Sequence, residues 1–227
     1  VFIVFAHPDK RSLQHSLLQV TIDLLVSNGH QVKVSDLYGM MWKSELDQTD
    51  FTEHKKDSRL RPLHTSIEAF KDNAYSQDII DEREKVLWAD LLIFHFPLWW
   101  YSFPAILKGW FDRVLVAPFA TPTKPGGSPG LLVGKQAQLI ITAAATEENF
   151  SSGGFLDDIS LSLYPIQTRM FKFMGLAALE PIVGYNAEPD TPDCFESTSK
   201  KITERIVKLS EQWNDNTYVS YKIVFIL

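Results

Sequence analysis

The stretch DLLIFHFPLWWYSFPAILKGWFDRVL, residues 90–115, has the pattern of a strand, a loop and a helix in succession. The first part is largely apolar, as in a strand buried on both faces of a sheet. Pro104 falls in the expected first turn of the helix, where proline is favoured. Between the two elements, Trp99, Trp100 and Tyr101 are adjacent, and three bulky aromatic side chains in a row cannot all enter one core. We predict that a ligand lies against this loop.

Strand and helix patterns alternate along the rest of the chain. Strands are predicted in five segments, namely VFIVFA (1–6), HQVKVSDL (30–37), DLLIFHF (90–96), KQAQLIITAAA (135–145) and AALEPIVGYN (177–186). Helices are predicted from the candidate cap Ser12 to Gly29 and over residues 76–89, 104–115, 159–175 and 197–213. Residues 39–77 are polar and irregular, and we expect an insertion there with at most one short helix. Residues 121–130 form a Pro/Gly loop.

This alternation predicts an α/β fold with a parallel sheet and helices on both faces. Five strands favour the flavodoxin-like order 2-1-3-4-5. We assign residues 1–213 to one such domain and residues 214–227 to a C-terminal tail. Ligands of these sheets bind beyond the carboxyl ends of the strands, which selects the loops at 7–16, 97–102 and 142–150. The aromatic triplet lies in the second loop, where we expect Trp99–Tyr101 to form a wall for a flat ligand.

The amino-acid composition and net charge exclude some classes of function. The 227 residues are 45% hydrophobic and 22% charged, as in a globular enzyme, and the net charge of −6 argues against a nucleic-acid partner. The single cysteine excludes an internal disulfide and fits a reducing compartment, so we expect a cytoplasmic protein. No apolar run is long enough to span a bilayer, and the start of the chain lacks the pattern of a signal peptide.

The first loop, AHPDKRSLQHS (6–16), leads from a strand into a helix N-terminus, which is a ready anion site. Ser12 and Ser16 add hydroxyl groups, and Lys10 and Arg11 add positive charge. The chain has neither GxGxxG nor GxxxxGK[ST], so a Rossmann dinucleotide site is disfavoured and a P-loop is excluded. From spacing alone, a simple helix cap is an equally good interpretation.

Three segments together resemble the NAD(P)H:quinone reductases of the flavodoxin-like fold. They are AHPDKRS (6–12), PLWWYSFPAILKGWFDRV (97–114) and YPIQ…FMG…LEP (164–181), and the resemblance extends over nearly the whole predicted domain. It implies a flavoenzyme that carries FAD, with FMN as the alternative, and that reduces quinones in two-electron steps. It also implies NAD(P)H or dihydronicotinamide riboside as the electron donor and a homodimer as the assembly.

The resemblance also implies roles for individual residues. The segment that holds the flavin phosphates matches His7, Ser12, Leu13 and Gln14. The loops along the flavin ring match Pro97, Leu98, Trp100, Tyr101, Thr142, Ala143, Ala144 and Ala145. Positions near the adenine end match Arg61 and Asp112, and an aromatic residue that reaches across the homodimer matches Phe173. The residues expected to face the reacting ring are Trp100, Tyr101, Ala144, Ala145 and Phe150.

Several positions depart from the family pattern. The tyrosine and histidine proposed to stabilise charge on the reduced flavin fall on Phe150 and Leu156. The Gly-Gly pair of the third loop is replaced by Ala144 and Ala145, and an arginine at the FAD phosphates or adenine end falls on Phe195. Substrate-pocket tyrosines fall on Thr121 and Thr123, and the residues that bind a metal in one branch are absent. The cradle for a flavin is therefore better supported than the catalytic groups.

Three functions remain open at this point. The first is the quinone oxidoreductase, and the second is a flavin-binding sensor or accessory protein with little turnover. The third is an enzyme of the same kind that acts on azo, nitro or other small electrophilic compounds. The missing polar groups at Phe150 and Leu156 favour the second function, whereas the intact aromatic loop favours the first.

Some prominent residues have simpler explanations. Trp99 is interpreted as a packing residue, and Trp110 and Phe111 as part of the core. His95 is expected in the interior with its hydrogen bonds satisfied, and Cys194 is expected to be unreactive. The apolar end of the tail is expected to pack as an extended segment against its own domain or a dimer partner.

Overall fold

The computed structural model describes residues 1–55, 57–124, 127, 130–188 and 192–214. Its strands are β1 (Phe2–Phe5), β2 (Lys33–Asp36), β3 (Leu91–Pro97), β4 (Gln136–Thr142), β5 (Ala177–Ala178) and β6 (Ile182–Gly184). Its helices are α1 (Leu13–Ser27), α2 (Pro62–Asp72), α3 (Gln77–Trp88), α4 (Ala105–Val114), α5 (Ile159–Tyr164), α6 (Lys172–Met174) and α7 (Pro192–Asn214). The strands form one parallel sheet in the order β2-β1-β3-β4-β5, and β6 also pairs with β4. The predicted flavodoxin-like strand order is confirmed.

Helices cover both faces of the sheet, as predicted. On one face, Phe94 of β3 packs against Trp110 and Phe111 of α4, and both α4 side chains are buried. On the other face, apolar residues of α1 and α7, such as Leu17 and Ile202, pack against the sheet in a second cluster. Two apolar layers therefore enclose the sheet, and only its edges and strand ends remain for binding.

The predicted fifth strand is two short strands. β5 and β6 both pair with β4, and the break between them contains Pro181, which has no N–H to donate to a ladder. The carbonyl of Glu180 at this break accepts hydrogen bonds from Gln138 Nε2 at 2.8 Å and from Arg205 Nη1 at 3.0 Å. Side chains thus replace the missing ladder contacts.

The predicted helix over residues 159–175 is helical but not uniform. α5 continues into a π-helical segment, Pro165–Phe171, which leads directly into α6. The π-helical segment begins at Pro165, a residue that cannot donate the regular hydrogen bond to the carbonyl four positions earlier. Gly175, at a φ of 78°, ends the helix as expected from the sequence.

The insertion at residues 39–77 is more ordered than the sequence indicated. It contains a short 3-10 turn, Gln48–Asp50, and the 11-residue helix α2. Arg113 of α4 binds Asp50 at 2.9 Å with both side chains buried, and its guanidinium lies 4.4 Å from the ring centre of Trp42. Lys43 also binds Asp50, at 2.8 Å. This ion-pair network fixes the insertion to the helix that follows the aromatic loop.

His95 is fully buried in β3, as predicted, but its hydrogen bonds are not all satisfied, because Nε2 has no partner among the described residues. Its Nδ1 lies 2.6 Å from the side-chain nitrogen of Gln14 in α1, and its ring packs edge-on against Phe5. Burial lowers the pKa of His95 to about 3. The ring is therefore neutral at physiological pH.

Two further findings concern the described part of the chain. No helix there has the length and apolar character to cross a membrane, and no group of three or more histidine, cysteine or acidic side chains is arranged to hold a metal ion. Cys194 is buried, and burial raises the pKa of its thiol. The predicted packing of the tail concerns residues 215–227, which lie outside the described residues, as does part of the Pro/Gly loop.

The substitution Gly109→Ala tests how closely the insertion contacts α4. Alanine in a helix normally gains about 0.5–1 kcal/mol over glycine, but a Cβ at this position would overlap the backbone of Ser44. We expect a loss of about 1–3 kcal/mol in the free energy of unfolding, as for an overpacked core. Urea unfolding measures this, with Lys108→Ala on the exposed face of α4 as the control. A stabilised Gly109→Ala variant would contradict the close packing.

The buried His95 predicts a specific loss of stability in acid. Its pKa is about 3 in the folded chain, against about 6.5 in an unfolded chain. Between these values the unfolded chain binds a proton that the folded chain does not, so stability falls as pH decreases. His95→Gln removes this titration. From pH 7 to pH 5, the unfolding free energy of the wild type should therefore fall by about 2 kcal/mol more than that of the variant. Parallel stability curves for the two proteins would refute a buried neutral histidine.

Candidate functional site

Three loops meet at the carboxyl edge of the sheet. They follow β1, β3 and β4, which lie side by side with Phe5 opposite His95 and Pro97 opposite Thr142. A hydrogen bond of 2.8 Å from the Leu98 N–H to the Thr142 carbonyl extends the pairing into the second and third loops. The three sequence segments selected for ligand binding are therefore brought together by the sheet itself.

The first loop ends in an open helix N-terminus. The Ser12 hydroxyl caps α1 by accepting a hydrogen bond of 3.2 Å from the His15 N–H, as predicted. The N–H groups of Leu13 and Gln14 donate to no atom of the described residues. Free N–H groups and the positive end of the helix dipole make this turn suitable for a phosphate.

The positive charge of this loop is smaller than the sequence indicated. Arg11 forms an ion pair of 2.9 Å with Asp9 and lowers the pKa of that carboxyl to about 2. Lys10 is exposed. His7 is half-buried, its Nδ1 accepts a hydrogen bond of 3.1 Å from the Asp9 N–H, and its ring lies 6.3 Å from the ring of Trp99. Anion binding therefore rests mainly on the backbone of α1.

The second loop is a tight turn with aromatic residues at its tip. The backbones of Trp99 and Ser102 exchange two hydrogen bonds, of 3.2 and 3.0 Å. Trp100 and Tyr101 have φ values of 51° and 58°, so both central residues are left-handed, as in a type I′ turn. The Trp100 side chain is 93% exposed, and that of Tyr101 is 49% exposed.

This turn is unfavourable in isolation. Left-handed backbone costs on the order of 1–3 kcal/mol for a residue other than glycine, and such residues concentrate at ligand sites. An exposed indole gains nothing from burial in return. Trp99 packs on His7 and is 42% exposed, which is consistent with its interpretation as a packing residue that joins the first two loops. The strain at Trp100 and Tyr101 is consistent with the predicted role of this turn in ligand binding.

The third loop presents backbone donors beside the turn. Thr142 and Ala143 are buried, and the Ala143 N–H binds the Gly184 carbonyl at 2.8 Å. The Thr146 N–H binds the Asn149 side chain at 3.3 Å and is therefore already engaged. The N–H groups of Ala144 and Ala145 have no acceptor within the described chain. They are two of the backbone donors that this loop could offer to a ligand.

Phe150 and Leu156 bring no polar group to this loop. Phe150 is buried and packs on Tyr185 with the ring centres 6.0 Å apart, and Leu156 packs against the same core cluster. Burial raises the pKa of Tyr185, with Glu147 and Asp158 adding to the effect. Neither Phe150 nor Leu156 can therefore donate a hydrogen bond to an electron-rich ligand atom at this loop.

The backbone and the side chain of Gln14 make different contacts. Its backbone N–H belongs to the open turn of α1, but its side chain is buried under that turn and points to β3 and β4. The sequence placed Gln14 among the phosphate-binding residues. The structure leaves only its backbone for that contact.

In the described part of the chain, the remaining predicted residues form no hydrogen bond, ion pair or ring contact with the three loops. Arg61 is exposed at the start of α2, and Asp112 is exposed on α4, where it pairs with Lys108 at 2.7 Å. Thr121 is half-buried, and Thr123 is exposed. Two further aromatic positions lie elsewhere, Phe173 exposed on α6 and Phe195 partly buried against the cluster of α1 and α7. The roles of these residues stay predictions.

Two features of the site were not predicted from the sequence. One is the left-handed pair at Trp100 and Tyr101, because aromatic residues carry no signal for a type I′ turn, which favours Asn-Gly. The other is Asn149, whose side chain binds the Thr146 hydroxyl at 2.9 Å and so shapes the third loop. An asparagine three residues after a threonine in a loop is a recognisable turn signal.

Comparisons with known proteins agree with this architecture. A family model for the flavodoxin-like fold matches residues 1–206. The ribosyldihydronicotinamide dehydrogenase-like protein traD of Penicillium crustosum is 42% identical over 209 residues, which cover 88% of this chain and 78% of that protein. NAD(P)H dehydrogenase [quinone] 1 of Rattus norvegicus is 37% identical over 193 residues, covering 84% and 70% of the two chains.

A solved structure of a similar protein has the same fold. A Klebsiella pneumoniae protein described as a quinone reductase superposes with a TM-score of 0.85 at 39% identity, covering 92% of this chain and 83% of that one. The family match, the relatives and the arrangement of the three loops lead to one assignment. The chain belongs to the NAD(P)H:quinone reductase family of flavodoxin-like enzymes.

Proposed function

We propose that this enzyme binds FAD at the three loops and reduces quinones with electrons from NAD(P)H or dihydronicotinamide riboside, in a two-electron ping-pong reaction. The observation that carries the proposal is the exposed, left-handed Trp100–Tyr101 turn beside free backbone donors. An aromatic wall next to hydrogen-bond donors suits a flat heteroaromatic ring with polar edges.

The residues present fit a flavin. Free N–H groups of Leu13 and Gln14 at the α1 N-terminus suit its phosphates, and the Ser12 hydroxyl can donate a further hydrogen bond. Free N–H groups of Ala144 and Ala145 suit the carbonyl oxygen and ring nitrogen that gather negative charge. The phosphates and the electron-rich edge of the ring would thus each have backbone N–H groups as hydrogen-bond donors.

When bound, the flavin supplies hydride acceptance from the nicotinamide and hydride donation to the quinone. Residues of the second and third loops would hold the ring. Ala144 and Ala145 would donate hydrogen bonds from a fixed backbone, so no side chain has to reorganise during reduction. Trp100 and Tyr101 would orient a planar acceptor and exclude water from the ring.

We propose FAD rather than FMN because the family resemblance implies FAD and matches Arg61 to a position near the adenine. Phe195, which falls where the family has an arginine at the FAD phosphates or adenine end, counts against FAD. Release of the cofactor and its mass distinguish the two flavins directly.

A homodimer is proposed as the functional assembly. The segment from α5 to α6 exposes large apolar side chains, including Leu161 and Phe173 at 63% exposure each and Tyr164 at 44%. Such a surface is typical of a protein interface. In this arrangement Phe173 would reach the site of the partner subunit, as the family resemblance implies.

A second candidate function is a flavin-binding protein with little turnover. It is favoured by Phe150 and Leu156, because neither residue can donate a hydrogen bond to the reduced cofactor. Loss of one such donor costs about 10²–10³ in rate at oxyanion-type sites. The free N–H groups of Ala144 and Ala145 favour the enzyme, since they remain available for the same task.

An anaerobic absorbance spectrum of the purified protein tests the proposed reaction. We expect a flavin band that bleaches on addition of NADH, NADPH or dihydronicotinamide riboside, and that returns on addition of menadione. The physical basis is that a bound flavin changes its absorbance with its redox state. A flavin band that no donor bleaches would support the binding protein, and a purified protein that takes up no added flavin would refute both functions.

The substitution Trp100→Gly separates ligand binding from stability. Glycine adopts a φ of 51° without strain, so we expect the free energy of unfolding to rise by up to about 1 kcal/mol. An aromatic stacking contact is worth roughly 0.5–1.5 kcal/mol beyond the area it buries, so KM for menadione should rise about tenfold. Asn73→Gly, at a φ of 52° in the C-cap of α2, is the matched control and should leave KM unchanged. An unchanged KM in Trp100→Gly would exclude the turn from the acceptor site.

A further inference from the structure

We propose that the side chain of Gln14 is a positioning residue that holds the three ligand loops in register by linking the first turn of α1 to β3 and β4. The inference rests on the proposed flavin site, and it assigns to this side chain a task other than direct contact with the cofactor. It follows from the hydrogen bonds of one buried amide.

The contacts of that amide reach all three loop-bearing elements. Gln14 is the second residue of α1 and is 1% exposed. Its Nε2 lies 2.6 Å from His95 Nδ1 on β3 and donates to the Ile140 carbonyl on β4 at 3.1 Å. His95 stands two residues before Pro97, and Ile140 stands two residues before Thr142. One side chain thus ties the start of α1 to both strands just before their loops begin.

The chemistry of the three groups determines the orientation of the amide. A backbone carbonyl only accepts hydrogen bonds, so the NH₂ end of Gln14 must face Ile140. The second hydrogen of that NH₂ group then points to His95 Nδ1, which accepts it because the ring is neutral. A protonated or Nδ1–H ring would place two donors against each other. The link is therefore specific for an amide facing a neutral histidine.

The other end of the amide shows that packing alone does not explain Gln14. Its Oε1 is buried and has no hydrogen-bond partner among the residues that the structure describes. An unsatisfied buried oxygen is unfavourable, and an apolar side chain at this position would avoid it. What Gln14 adds over an apolar residue is the pair of hydrogen bonds from its nitrogen.

The consequence for the site lies in the backbone of the same residue. The free N–H groups of Leu13 and Gln14 form the proposed phosphate site, and the Gln14 side chain fixes that turn to the strands that carry the other two loops. Displacement of a binding group by about 1 Å can cost about 10²-fold in a rate or an affinity. At metal sites, residues that only orient the ligands contribute about 10–100-fold, and we expect a similar magnitude here.

The experiment compares Gln14→Met with Gln138→Met. Methionine fills a similar volume and removes both ends of the amide without leaving a large cavity. Gln138 is also 1% exposed and lies on β4, but it binds the Leu139 and Glu180 carbonyls and Arg205, away from the loops. Both variants should lose stability on unfolding in urea. Only Gln14→Met should raise the Kd for FAD, by about 10–100-fold.

A double-mutant cycle on the Kd for FAD adds a readout that a purely structural role would not change. His95→Phe removes the acceptor, so its effect and that of Gln14→Met should be strongly non-additive. His95→Gln keeps a side-chain acceptor for the Gln14 amide and should bind FAD nearly as well as the wild type.

The outcomes separate the inference from the proposed function. If the wild-type chain binds no FAD, the proposed function itself fails. If the wild type binds FAD and Gln14→Met binds it within about twofold of wild type, the positioning role is overturned. Equal weakening by Gln14→Met and Gln138→Met, or additive effects in the cycle, would also overturn it, because both results indicate a general loss of stability. Selective weakening together with non-additivity supports it.

Discussion

The parallel pairing of β1, β3 and β4 is the constraint on which the rest of the structure depends. Because parallel strands end at the same edge, this pairing brings together three loops that are far apart in sequence. The register sets Phe5, His95 and Ile140 in one row, so each loop starts at nearly the same height above the sheet. With helices on both faces, that edge is the place where backbone donors and aromatic rings can face a ligand.

The site is built from features that a stable fold would otherwise avoid. Left-handed backbone occurs at Asn73, Asp157 and Asn186, where a short polar side chain tolerates it. It also occurs at the larger residues Met41, Trp100 and Tyr101, where it is strained. Free N–H groups at the α1 N-terminus and at Ala144–Ala145 add to this cost, although water can satisfy them on an open surface. In the proposed site, ligand binding would compensate for the strain at Trp100 and Tyr101 and for the unpaired donors.

Patterns with a physical basis predicted most of the fold. Apolar runs marked the strands, alternation with helices marked the parallel sheet, and Ser12 marked the start of α1. The break between β5 and β6 contains Pro181 and was not predicted. The regular structure within residues 39–77 was also missed, because it depends on the ion pair of Asp50 with the distant Arg113, which no local pattern reveals. The buried direction of the Gln14 side chain did have a signal, since it lies three and four residues before Leu17 and Leu18 on the buried stripe of α1.

The replacement of polar side chains by Phe150 and Leu156 need not remove the means to stabilise charge. A backbone N–H has no pKa in the physiological range and no rotamer to fix, and it is held here by the hydrogen bonds that close the third loop, such as Ala143 to Gly184 and Asn186 to Ala145. Preorganised donors of this kind stabilise developing charge without reorganisation. Because the Trp100–Tyr101 turn can exclude water from the same place, the interaction would act in a low dielectric, where it is strongest. In the proposed reaction, the backbone of the third loop would therefore stabilise charge on the reduced flavin without the tyrosine and histidine of the family pattern.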